Sequence, residues 1–171
     1  MSDKREMDTT QESSTTAPHA DDVSTIDGII NAVYAVISGP AGQKRDWERM
    51  RSLFVPGARL MPTAAAPDAD ESVATQVLDV DGYIARAGNY LEENGFFETE
   101  MVRRVETYGH IAHAWSTYES RHKREDPEPF ARGINSIQLM HDGRRWWLVS
   151  IFWEAETPGT PIPEKYLKSA Q

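Results

Sequence analysis

Four polar side chains fall where a folded chain would hide them, and they set the chemistry open to this sequence. Asn135, Ser116, Tyr118 and Arg103 lie in runs that alternate like β-strands, on the side that also carries alanine, isoleucine and tryptophan. A buried amide needs partners, so Asn135 either orients a ligand or ties a strand to a helix. A buried guanidinium needs an anion, which for Arg103 is a helix carboxylate or an acidic ligand. Ser116, opposite Arg103, adds a hydroxyl or serves as a small core filler, and Tyr118 adds a phenol. Trp47 and Trp153 are large flat apolar groups that pack a core or wall a pocket. The expected ligand pocket is therefore Trp47, Arg103, Ser116, Tyr118, Asn135 and Trp153. Such a set holds a small apolar molecule by a few polar handles. It assigns no catalytic role.

Acid–base chemistry has one further candidate. Glu100 and Glu119 oppose each other on the outer sheet face in the expected register, where like charges repel. Either the register ends there, or one carboxyl is pushed neutral and used. An exposed rim pair is the plainer reading. His113 opposite Glu106 reads as an outer ion pair. The five histidines form no pair at metal-ligand spacing, and the chain has no cysteine. Disulfides, thiolate chemistry and cysteine zinc sites are thereby excluded. No nucleotide or flavin motif is present, so neither a metal nor a cofactor is expected.

These residues need a sheet to position them. Four strands are predicted in two hairpins: Phe97 to Tyr108, Ile111 to His122, Ala131 to His141 and Arg145 to Glu156. Gly109-His110 suits a two-residue turn. That turn sets Val105 opposite Ala114, Arg103 opposite Ser116 and Met101 opposite Tyr118 on the inner face. Arg104–Trp115, Val102–Thr117 and Glu98–Arg121 then fall on the outer face. For the second hairpin, a three-residue loop at Asp142-Gly143 pairs Ile137 with Trp147 and Asn135 with Val149. It gathers Asn135, Ile137, Leu139, Trp147, Val149, Ile151 and Trp153 on one face.

Three helices precede the sheet. Ile26, Ile29, Ile30, Val33 and Ile37 form one stripe of a helix from Thr25 to Ser38, opened by a Ser24–Asp27 capping box and ended by Gly39-Pro40. A second helix runs from Asp46 to Phe54, and a third from Val80 to Glu93 with Asp79 as N-cap and Asn94-Gly95 as its stop. Ala58 to Met61 is a short strand. Pro62 to Asp79 reads as a mobile loop or lid. Residues 1–22 are polar and acidic and read as a disordered tail, 23–157 as one domain, and 158–171 as an extended proline-rich tail anchored by Ile162, Tyr166 and Leu167.

At 171 residues with a formal net charge of −9, the chain offers no basic surface for nucleic acid or for an anionic membrane. No apolar run approaches the ~18 residues of a span, and no signal-peptide core is seen. A cytoplasmic location is expected.

The fold class is α+β. DWERMRSLF followed by PGARLMP, the helix DGYIARAGNYLEENGFF, and the strands VETYGHIAHAWSTYESR and RGINSIQLMHDGRRWWLVSIFWEAE together resemble the nuclear transport factor 2-like superfamily, in particular its SnoaL-like members. The resemblance implies a cone-shaped, curved antiparallel sheet wrapped around about three N-terminal helices, with a pocket at the open end. It also implies a homodimer through the outer sheet face, here Val102, Ile111 and Trp115. Relatives include isomerases, dehydratases, epoxide hydrolases, cyclases and domains that only bind. Their aspartate chemistries have no matching residue: the four strands carry no Asp, since Asp126 lies in a loop and Asp142 in a turn. Three functions follow as expectations: a small-molecule-binding domain, a cofactor-independent acid–base enzyme on an apolar carbonyl or hydroxyl compound, and a dimeric interaction module.

Overall fold

Each helix starts where a side chain can satisfy its first free amides. The computed structural model describes residues 18–65 and 73–168. Within it, α1 (Ala20–Val23) is one turn, α2 spans Ile26–Ile37, α3 Trp47–Leu53 and α4 Val80–Asn94. The cap of α2 is Thr25 rather than Ser24, its hydroxyl accepting from Gly28 N at 2.9 Å. Asp46 and Asp79 cap α3 and α4 through the N–H groups of Arg49 and Gly82. The acidic N-terminal stretch is folded from Ala20 onward, because Asp22 forms a two-pronged ion pair with Arg49. The rest of the expected tail, residues 1–17, lies outside the described residues, as do 66–72 of the expected lid.

Six strands follow the order β2-β1-β6-β5-β4-β3. They are β1 (Phe54–Ala65), β2 (Val73–Thr75), β3 (Phe97–Tyr108), β4 (Ile111–Arg121), β5 (Ala131–His141) and β6 (Trp146–Ala155). The sheet is mixed rather than wholly antiparallel, since β1 runs parallel to β6. β1 is also three times the length of the expected Ala58–Met61 strand: the Pro62–Asp79 stretch contributes an extension and β2, which pair with each other. Helices α2, α3 and α4 cover one face. The core beneath them contains Ile29, Ile30, Leu53, Ile137, Leu139 and Leu148, each at most 2 % exposed. No helix among the described residues is long and apolar enough to cross a membrane.

Two bulges reset the faces. The first hairpin keeps the expected register from Tyr108↔Ile111 to Val102↔Thr117, then slips by one residue so that Glu100 opposes Tyr118 and Glu98 opposes Ser120. Met101 is the extra residue; it is 39 % exposed instead of facing the helices. The slip turns Glu98 and Glu100 inward, and removes the Glu100–Glu119 conflict and the Glu98–Arg121 pairing. The second hairpin departs from the expected three-residue loop. Asp142–Arg145 bridge the paired residues His141 and Trp146. The Asp142 carboxylate accepts from the amides of Arg144 and Arg145 and from Trp147 Nε1 at 2.7 Å. Those donors hold its carboxyl down at about 2, the Trp147 bond contributing most. Trp147 is thereby held on the outer side under the Arg145 guanidinium, 3.6 Å from the ring centroid. A shift between Gln138 and Leu139 sets Leu148 inward, while Ile151 and Trp153 oppose Ile137 and Asn135.

The C-terminal segment packs on the outer face. Tyr166 stacks on Trp115 with centroids 5.5 Å apart, and its carbonyl accepts from Thr117 Oγ1 at 2.7 Å. Arg104 donates to the Lys165 carbonyl, and Ile162 is 9 % exposed. The segment includes a helical turn, Glu164–Tyr166, so it is not extended throughout.

Candidate functional site

The helix-covered face of the sheet holds a cavity of about 240 Å³. Aliphatic side chains of α2, α3, α4, β1, β5 and β6 form about half of its wall, with Tyr83, Tyr90, Phe96 and Trp153 as aromatic lining. Among the described residues, Glu98 is its only charged lining residue, joined by the polar groups of Tyr34, Tyr83 and Asn135. No lysine, arginine or histidine among the described residues lines it.

Local structure explains how a carboxyl came to stand there. Ser38, the C-cap of α2, donates to Tyr34 O at 2.7 Å and accepts the Glu98 amide at 3.1 Å, clamping the start of β3 to the helix end. Gly39 and Phe96 exchange two backbone hydrogen bonds alongside it. The Met101 bulge then sets the parity that turns Glu98 inward. Its carboxylate accepts from Asn135 Nδ2 at 3.3 Å and from Ser120 Oγ at 3.1 Å. Burial among apolar walls raises the Glu98 carboxyl to about 7, although the Asn135 and Ser120 bonds pull it the other way. Burial, and then the Glu98 charge, raise the phenols of Tyr34, Tyr83 and Tyr118, which stay protonated donors at neutral pH.

The sequence-derived residues divide between the cavity and its supports. Asn135 and Trp153 line it, and Trp153 meets Tyr83 edge-on with centroids 6.2 Å apart. Tyr118 lies behind the wall, 5 % exposed and packed over Gly133. Ser116 is fully buried between Tyr34 and Glu100, at 2.6 Å and 2.5 Å. Arg103 reaches away from the cavity to Glu100 and to Asp27 of α2, so its anion is a helix carboxylate together with a strand one. Trp47 donates to Glu92 at 3.0 Å and packs against Gly88 of α4. The buried arginine that sequence reasoning passed over is Arg45. It donates to the carbonyls of Ile37, Gly39 and Leu91, at the C-terminal ends of α2 and α4, and to that of Gln43 in the loop before α3. Glu98, Tyr34 and Tyr83 are the polar site groups the sequence did not yield. The repulsive Glu100–Glu119 pairing was the signal for Glu98, because a register that opposes two carboxylates calls for a bulge. Tyr34, four residues after Ile30 and three before Ile37, borders the isoleucine stripe of α2, and that spacing was its signal.

No protein-family model and no curated protein matches the chain. Solved structures do. A protein of unknown function with a cystatin-like fold from Nostoc punctiforme aligns with a TM-score of 0.55 at 15 % identity, over 81 % of this chain and 92 % of that one. An NTF2-like protein of unknown function from Silicibacter pomeroyi gives 0.51 at 15 % identity, over 77 % and 92 %. A candidate ketosteroid isomerase from Parabacteroides distasonis gives 0.50 at 9 % identity, over 81 % and 98 %. The chain has the nuclear transport factor 2-like, or cystatin-like, fold. At such identities the likeness carries the fold and leaves the chemistry to the site.

Proposed function

We propose that the cavity binds a small apolar molecule carrying a carbonyl or hydroxyl group, and that Glu98 exchanges a proton with it without a cofactor. The observation that carries this reading is one carboxyl, raised to about 7, in an apolar cavity whose lining holds no cation among the described residues. A carboxyl in that range is half ionised near neutrality, the condition in which one group takes up and returns a proton. As the carboxylate, Glu98 removes a proton from carbon next to the carbonyl; as the acid, it returns the proton to another carbon or to a leaving hydroxyl. Tyr83 lines the same cavity, and its hydroxyl has no hydrogen-bond partner among the described residues. It is the donor that would meet the oxygen on which negative charge develops. Isomerisation, dehydration and cyclisation all use this pair of roles.

The test is deuterium exchange into a cyclic enone, 2-cyclohexenone, in D2O, followed by proton NMR. Wild-type protein is expected to accelerate exchange beside the carbonyl, with a rate that rises with pH through about 7 as Glu98 ionises. Glu98→Gln is expected to abolish the acceleration, and Tyr83→Phe to reduce it about 10- to 100-fold. Saturable quenching of Trp153 fluorescence by the enone without any exchange would leave the cavity a binding site and remove the acid–base role.

A homodimer through the outer face is a second proposal. Ile111 and Tyr108 are 58 % and 84 % exposed there, which supports it. Trp115 lies under Tyr166, so the contact would centre on the β3–β4 turn rather than on Trp115. Sedimentation of wild type and Ile111→Asp tests it; a monomer in both cases removes it.

A further inference from the structure

Behind the cavity wall, a line of hydrogen bonds runs from Glu98 to a charged pair outside it. Asn135 Nδ2 donates to Glu98 at 3.3 Å and to Tyr34 OH at 2.9 Å. Tyr34 OH lies 2.6 Å from Ser116 Oγ, and Ser116 Oγ donates to Glu100 Oε1 at 2.5 Å. Glu100 is held in turn by Arg103, whose Nε and guanidinium NH2 lie 2.8 Å and 2.5 Å from its two oxygens. Tyr34, Ser116 and Asn135 are all buried, at 6 %, 0 % and 7 % exposure.

The line has a direction. An ionised carboxylate only accepts, so Ser116 must give its proton to Glu100. Ser116 then accepts from Tyr34, and Tyr34, its proton committed, accepts from Asn135. The amide therefore has to present its nitrogen, not its oxygen, to Tyr34, and the same nitrogen faces Glu98. We propose that the Glu100–Arg103 pair, acting through Ser116 and Tyr34, fixes which way the Asn135 amide faces and so keeps a hydrogen-bond donor on Glu98. Glu100 and Ser116 are positioning residues, distinct from the group that meets a ligand. The functional meaning rests on the acid–base reading of Glu98, but the orientation of the amide can be measured without any ligand.

The groups that face or electrostatically couple to Glu98 are Tyr34 from α2, Tyr83 from α4, Tyr118 and Ser120 from β4, and Asn135 from β5, with Glu100 nearby on its own strand. If the line is cut at Ser116, Tyr34 is free to donate to the amide oxygen. The amide then turns and sets its oxygen against Glu98, which favours the protonated carboxyl. Ser116→Ala changes no charge and leaves Glu100 in place, so a through-space effect predicts no movement. The relay predicts that Glu98 titrates higher by about one pH unit, with Ser116→Thr restoring wild-type behaviour. Carbon-13 NMR of the glutamate side-chain carboxyls across pH reads this directly.

Glu100→Met is the second arm, serving also if Ser116→Ala does not fold. Loss of a nearby negative charge lowers the Glu98 titration by simple electrostatics, whereas loss of the relay's acceptor raises it. A rise in both variants supports the proposal. An unchanged Glu98 in Ser116→Ala, or a fall in Glu100→Met, overturns it. Neither outcome depends on catalysis, so a cavity that binds without exchanging protons would refute the function and leave this inference standing.

Discussion

Replacing Glu98 with glutamine should make the protein more stable at alkaline pH, and the size of the gain follows from the site. A glutamate carboxyl in the unfolded chain has a value near 4.5, whereas Glu98 in the folded chain sits at about 7. Between those values the folded state keeps a proton that the unfolded state has already lost. The wild-type contribution therefore falls as pH rises through the window from about 4.5 to 7 and is level above it. Two and a half pH units at ~1.4 kcal/mol each give about 3 kcal/mol, an order-of-magnitude figure. Glutamine keeps the shape and can still accept from Asn135 while donating to Ser120, but never has to carry charge. Urea unfolding of both proteins at half-unit steps from pH 4 to 8.5 supplies the assay. The stability difference between them cancels every other titrating group. It should be near zero at pH 4 and grow to about 2–3 kcal/mol in favour of Glu98→Gln by pH 8. A difference that is flat with pH, or a glutamine variant that is weaker at pH 8, would refute the view that Glu98 ionises against apolar walls.

Other perturbations test the supports of the site. Gly133→Ala should cost about 2 kcal/mol in thermal or urea unfolding, because a Cβ there would stand 2.5 Å from Tyr118 OH and against the Glu154 carbonyl. Adding Tyr118→Phe should recover only part of that loss, since the backbone clash stays. Arg45→Met should destabilise by about 3 kcal/mol by the same assays, leaving carbonyls at the ends of α2 and α4 without their donor. An Arg45→Met loss below about 1 kcal/mol would mean that water replaces the guanidinium. Asp142→Asn should weaken the β5–β6 turn at neutral pH, read as a lower melting temperature, with no change in enone exchange, since Asp142 lies outside the cavity.

Much of the scaffold was legible in local sequence. Turn and cap residues such as Gly109, Asp79 and Asn94-Gly95 act within a few positions of themselves, so they fixed the β3–β4 turn and both ends of α4 without tertiary help. The isoleucine stripe of α2 announced its buried side for the same reason. Asn135 could be assigned to the inner face because β5 alternates without interruption against β4, and Trp153 because β6 keeps its register from Ser150 onward. The contents of the cavity needed more. Strand parity is inherited from one residue to the next, so a single bulge at Met101 moved Glu98 and Glu100 from one face to the other. A second irregularity, with the Asp142 turn, did the same for Trp147 and Leu148.

By itself, then, the sequence determined an acidic α+β chain, its helices, and two hairpins whose inner faces are apolar with a few polar groups. It also announced the missing strand aspartate. Only the tertiary structure decided that a glutamate stands in the cavity instead. That decision depends on where a strand slips by one residue and on which helix end clamps it, and neither is encoded in the spacing of Glu98's own neighbours. The raised carboxyl is likewise a property of the assembled walls. The glutamate is ordinary in the chain, and its carboxyl is raised to about 7 only when α2, α4, β5 and β6 close around it.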